Sequence, residues 1–253
     1  MVARLRIPFR GRSLRPTPDA MTLGEHLAEL RRRLLVSVFA FAVAATVAFI
    51  VYPDILHFLQ SPYCRVAGPR HCKLYVTDPL GGLSLRIKLS TYGGLFLASP
   101  IVLWELWRFI TPGLHRNEKR YALPFIFSSI LLFSGGAVLA YISFPHALKF
   151  LQNVGGPSLQ QIYDPNKYLG LIVALMTVFG LTFEFPVVLV SLELAGVLRP
   201  ERLASWRRWA IVLIVVFAAF ITPSGDPFSM LALAAPLYVF YEVSIVIGKL
   251  LRR

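Results

Sequence analysis

Tyr168–Ala195 reads YLGLIVALMTVFGLTFEFPVVLVSLELA, and the class of this protein follows from that stretch. A chain in lipid must satisfy its own backbone hydrogen bonds, so a run this apolar crosses the membrane as a helix. A crossing needs roughly 20 mostly apolar residues, and this run extends to about 40 Å as a helix. Five further runs lie around it. Leu34–Tyr52 opens after Arg31, Arg32 and Arg33; Leu89–Trp107 and Tyr121–Phe144 follow. Trp209–Ile221 and Phe228–Ile247 come last, joined by the short turn Thr222–Pro227. The whole chain agrees: its 253 residues are 56% apolar and 15% charged, with a mean hydropathy of +0.64. A soluble chain carries about a quarter charged residues. The expectation is an all-α integral membrane protein with six transmembrane helices. Residues 1–20 read as a disordered basic tail and 21–253 as one six-helix domain.

The net charge of +13 has its origin in topology. Lys and Arg gather in cytoplasmic loops, and 19 of the 26 fall on one side of the expected spans. These are the N-terminal arginines up to Arg33, the loop from Arg108 to Arg120, the loop from Arg199 to Arg208, and the C-terminal Lys249, Arg252 and Arg253. The excess survives without the first twenty residues. It predicts that both termini are cytoplasmic, which an even number of spans requires. No nucleic-acid signature, metal-ligand cluster or phosphate loop is present, so nucleic acid, metals and other cofactors are not expected. The tail admits three readings: an unstructured extension with Met21 as the true start, a polybasic arm on anionic lipid, or a cleaved secretory signal. The last fits least, because the apolar run continues past Ala42–Ala45 to Tyr52.

Several residues are costly where they sit. Glu184 lies deep in the fourth span, where a carboxylate needs water, a protein partner or a proton. Pro186 follows two positions later and removes a helix hydrogen bond, so a kink is expected there. The fifth span, at about 13 residues, extends only about 20 Å against roughly 30 Å of hydrocarbon. Asp226, in a Pro/Gly turn, reads first as a cap. Cys64 and Cys72 share the expected outer loop, residues 53–88, and either bridge or stay free thiols. Glu29 sits in His26-Leu-Ala-Glu-Leu-Arg-Arg-Arg, which reads as an amphipathic surface helix, and Glu118 sits in the second cytoplasmic loop. Each pairs locally with basic neighbours, or the two together accept an external guanidinium, whose planar fork matches a carboxylate.

Four stretches carry a resemblance. They are His26-Leu-Ala-Glu29-Leu-Arg31-Arg-Arg33-Leu34; Ser99-Pro100, Trp104 and Trp107-Arg-Phe109-Ile-Thr-Pro112-Gly-Leu running to Glu118; Phe183-Glu184-Phe-Pro186; and Thr222-Pro223, Asp226-Pro227, Pro236 and Tyr241-Glu242. In this order they resemble the TatC family, receptor subunits of the twin-arginine protein translocase, over about residues 22–248. The resemblance implies an N-in, C-in concave wall with short fifth and sixth helices. It also implies binding of twin-arginine signal peptides on folded cargo. Single-span TatA- and TatB-type partners, homo-oligomers and transport driven by the proton-motive force are further implications. By motif position Glu29 and Glu118 would bind the arginines, with Arg31 and Phe109 in support. Pro62 would shape the outer cap, Glu184 would be the polar residue of the concave face, and the last two spans would meet partner helices. The chain departs from the pattern at the turn, where an extra residue displaces Asp226. It also departs at Met230, where relatives carry Gln, and at the cysteine pair, which is not a family hallmark. Against this receptor stand a proton-coupled small-solute transporter using Glu184, an intramembrane enzyme and a passive scaffold. None of the five His lies at mid-span, which disfavours the enzyme.

Overall fold

The computed structural model describes residues 23–68, 72–110, 122–156 and 162–251, and within them every regular element is helical. The helices are α1 (Leu23–Ile50), α2 (Tyr52–Ala67), α3 (Gly81–Ile110), α4 (Ala122–Val154), α5 (Pro165–Thr182), α6 (Phe185–Leu194), α7 (Pro200–Ser205), α8 (Arg207–Ile221) and α9 (Pro227–Leu251). Five crossings are long and apolar enough for a bilayer: α1, α3, α4, α5 with α6 as one unit, and α9. The fifth expected span is α8. Its 15 residues reach only about 22 Å, short as expected. The sixth is not short: α9 runs 25 residues, about 37 Å, because Pro236 lies inside the helix without ending it.

Three other expectations are corrected. The segment before span one is no separate surface helix, because α1 is continuous from Leu23 to Ile50. The outer segment 53–88 is not a plain loop: Tyr52–Ala67 forms α2, and α3 already starts at Gly81. Pro53 sits in the first turn of α2, where a missing N–H costs nothing. Span four is two helices. α5 stops at Thr182, and α6 opens at Phe185 with Pro186 in its first turn.

Packing orders these helices into an open row. α1 lies on α3, α3 on α4 and α5, α4 on α5, α6 on α9, and α8 on α9. Small residues set the closest approaches, as expected where lipid gives helices no hydrophobic reason to associate. A Cβ added to Gly94 of α3 would meet the Ala45 backbone of α1 at 2.6 Å. One added to Gly136 of α4 would meet the Phe179 carbonyl of α5 at 2.6 Å. α5 is the buried centre, with Leu169, Ile172, Leu175 and Phe179 all at 0% exposure. Phe39 of α1 (71% exposed) and Phe220 of α8 (88%) face outward, where lipid is the compatible solvent.

Two ends of the bundle can be told apart. At one end, α2 and the starts of α3 and α5 meet. Asn166 donates to the Gly81 carbonyl (2.9 Å), and Lys88 donates to the Asn166 carbonyl (3.3 Å). Asp164 caps α5, accepting from the N–H groups of Asn166 (2.8 Å) and Lys167 (3.3 Å). Desolvation acts against its charge, but hydrogen bonds from Lys167, Thr77 and Asn166 outweigh that and hold its carboxyl below the usual range. At this end Cys64 and Cys72 are joined with their Cα atoms 4.8 Å apart, and Gln60 donates to the Cys72 carbonyl (2.9 Å). Buried Pro62 lies inside α2 between them and the core. The start of α1 and the end of α9 both lie at the other end, with the end of α3, α7 and the start of α8.

Candidate functional site

The end of the bundle where α1 starts and α9 finishes gathers Glu29, Arg31 and Phe109. Glu29 and Arg33 are four apart on α1 and therefore share a face. Arg33 pairs with Glu29 through Nε and Nη2, both directed at Oε1. Its Nη1 donates to Oε2 of Glu105 on α3 at 3.0 Å. Only 17% of the Arg33 side chain is exposed, with 18% of Glu29 and 16% of Glu105. This is a sequestered bridge between two helices and not a solvated local pair. The other oxygen of Glu29, Oε2, is buried and accepts no hydrogen bond from the described residues. Two carboxylates share one guanidinium, so the triad has an excess of one negative charge. Phe109 stacks on His26 with ring centroids 4.5 Å apart, which closes the same α1–α3 contact one turn further out. Arg31 is exposed on the same helix end, and Arg33, two residues on, makes the buried contact. Glu118 lies outside the described residues.

The second polar position is the break in span four. Phe183 and Glu184 form the turn that separates α5 from α6. Trp107 of α3 donates from Nε1 to the Ser129 hydroxyl of α4 (2.6 Å), and that hydroxyl donates to Glu184 Oε2 (2.6 Å). Oε1 of Glu184 is buried without a hydrogen-bond partner. Glu184 also lines an apolar cavity of about 640 Å³ whose other walls include Leu181, Phe185, Leu213, Phe217 and Tyr241. That cavity lies between the broken span and the short α8, so a short helix and a kinked one enclose space that two straight helices would fill.

The remaining expected residues are structural neighbours of these sites. Asp226 is fully buried and accepts from the Ser229 N–H (2.7 Å) and from the Ser224 hydroxyl, capping the start of α9. Glu242 of α9 accepts from Arg207 (2.8 Å) and from the Tyr238 hydroxyl (3.2 Å), tying α8 to α9 near the end where α1 starts. Met230 is half-buried in the wall of α9. Sequence reasoning passes over Glu105, Ser129 and Glu193. The signal for Glu105 is the one that marks Glu184, a lone carboxylate inside an apolar run. Glu193 of α6 carries the same signal. It is 1% exposed and packed against Gly248 of α9, where any side chain would collide with its carboxylate.

Comparison with known proteins places this geometry. Residues 25–236 match the family model described as Sec-independent protein translocase protein (TatC). A Frankia casuarinae protein of that name is 42% identical over 238 residues, covering 90% of this chain and 65% of the relative. The Aquifex aeolicus protein of that name is 39% identical over 236 residues, covering 92% of this chain and 97% of the relative. The fold is similar to a crystal structure of the twin-arginine translocase receptor TatC. The TM-score is 0.74 at 39% identity, over 90% of this chain and all of that one. A second crystal structure of that receptor, in DDM, gives a TM-score of 0.75 at 38% identity, over 88% of this chain and 99% of that one.

Proposed function

This chain belongs to the TatC family, multi-pass proteins of the bacterial cytoplasmic membrane that form part of a translocase and are not enzymes, and on that premise we propose that it is a receptor for twin-arginine signal peptides. Both termini are cytoplasmic in this reading, so the Glu29 end of the bundle faces the compartment where cargo folds. The observation that supports the reading is the carboxylate pair around Arg33. A guanidinium already sits between Glu29 and Glu105, Glu29 keeps a buried oxygen unused, and the triad is one positive charge short of neutral. The excess negative charge attracts a planar cation to Glu29, and arginine suits it better than lysine because its fork meets two acceptors at once.

Glu118 is the second acceptor in this reading, and the stacked rings of Phe109 and His26 flank the Glu29 site. The wall formed by α8 and the cavity at Glu184 receives single-span helices of the TatA and TatB type. Copies of the chain assemble with them into a receptor complex, and the proton-motive force drives export of the folded cargo. The test is a binding isotherm of a labelled twin-arginine peptide on the purified protein. Glu29→Ala and Glu118→Ala should each weaken binding by roughly tenfold, the loss of one charge-assisted contact. A double substitution that leaves the isotherm unchanged would remove the receptor reading.

A further inference from the structure

We propose that Arg33 is an internal competitor for the signal-peptide arginine, occupying Glu29 in the free protein and passing to Glu105 when peptide arrives. The inference deepens the receptor reading and rests on it. Arg33 presents to Glu29 the group that an incoming arginine would present: Nε and Nη2 point at Oε1, and Nη1 reaches across to α3. It cannot be deprotonated at any working pH, so its charge always contends for the carboxylate. Glu105 gives the displaced guanidinium somewhere to remain paired. Without it, displacement would leave a charge at 17% exposure with no partner, which is expensive. The free protein therefore holds its acceptor covered, and a peptide must offer enough donors to displace a resident cation. A single lysine or a lone surface cation offers fewer directed donors than a pair of adjacent arginines. Covering the acceptor thus lowers the affinity of every cation by the same factor, so only a ligand with high intrinsic affinity occupies the site at a given concentration.

The roles of competitor and anchor predict opposite signs. If Arg33 competes, Arg33→Gln frees Glu29, and a labelled twin-arginine peptide should bind the purified full-length protein about tenfold more tightly. A peptide with both arginines replaced by lysine should gain by about the same factor, because the resident cation taxes every ligand equally. Glu105→Gln should act the other way. It leaves Arg33 with Glu29 as its remaining carboxylate, and peptide affinity should fall by roughly three- to tenfold. Glu29→Gln should weaken binding, and adding Arg33→Gln to it should then change nothing further. Circular dichroism confirms that each variant is folded. Should Arg33→Gln fail to fold, Glu105→Gln carries the test by itself, and unchanged or tighter binding there overturns the proposal. Weaker or unchanged binding by a folded Arg33→Gln makes Arg33 an anchor that orients Glu29, and overturns the competition while leaving the receptor reading intact. Wild-type affinity in Glu29→Gln overturns both.

Discussion

Glu184 shows how one residue can be costly and still well placed. Ser129 and Trp107 supply a two-bond chain to one of its oxygens, the other oxygen is buried and takes no hydrogen bond from a described residue, and the residue lines a cavity. A carboxylate kept for packing alone would have both oxygens satisfied, because an unmet buried acceptor costs about 1–3 kcal/mol. Glu184→Ala should therefore leave membrane insertion intact and reduce export. Glu184→Gln, which keeps an acceptor for Ser129, should retain the fold and separate shape from charge. Export of a folded reporter cargo, with membrane levels measured alongside, checks both. Wild-type export in Glu184→Ala would make this acid dispensable. Sequence alone marks Glu184, because a lone acid in an apolar run with a proline two residues on is visible in one dimension. Glu105 is likewise a lone acid in an apolar run, though no proline follows it, and its partner Arg33 lies 72 residues away. A carboxylate's worth depends on what folds against it.

At the scale of elements, the pairing of α1 with α3 controls the site. Arg33 reaches Glu105 only if the two helices cross closely, and Gly94 against Ala45 sets that approach further along the same pair. Gly94→Leu should force the helices apart. Overpacking a close contact costs about 1–3 kcal/mol, so thermal unfolding in detergent should come at a lower temperature. Peptide binding should weaken as well, although the substitution lies several turns from Glu29. Unaltered unfolding and binding would mean the crossing is looser than the Gly94 contact indicates. The composition of α1 foretells its crossing of the membrane but not its length, because the arginines at 31–33 read as a membrane border. In the structure Arg33 is drawn into the bundle by two carboxylates, so the helix runs through that border unbroken. The expected sixth run, Phe228–Ile247, already passes through Pro236; only the resemblance implied a short helix, and neighbouring helices hold the chain helical around that proline.

For the whole molecule, the governing feature is that the row of helices stays open. α1 lies against α3 at one edge and α8 against α9 at the other, so apolar surface on both edges faces outward. Such a wall offers apolar surfaces on which other helices can pack. Its orientation is open to a direct check. In a variant with Cys64 and Cys72 replaced by Ser, Lys73→Cys should react with a membrane-impermeant maleimide in intact cells. Ser205→Cys, at the end where α1 starts, should react only after the membrane is opened. The reverse pattern would turn the protein over and remove Glu29 from the cytoplasmic face.

Composition and hydropathy by themselves determined that the chain is a helical membrane protein and where its crossings centre, although α1, α3 and α4 run about two to three turns past the expected bounds. These are properties of solvent transfer and charge, which add up residue by residue along the chain. The stretches around Glu29, Phe109, Glu184 and Asp226 were legible too, because the family resemblance lives in local spacing. Tertiary structure alone decided that Arg33 bridges Glu29 to Glu105, that Ser129 and Trp107 hold Glu184, and that a short helix and a broken one leave a cavity between them. Each of those depends on which helices lie side by side, and helix neighbours in lipid are chosen by small-residue contacts and buried polar partners far apart in sequence.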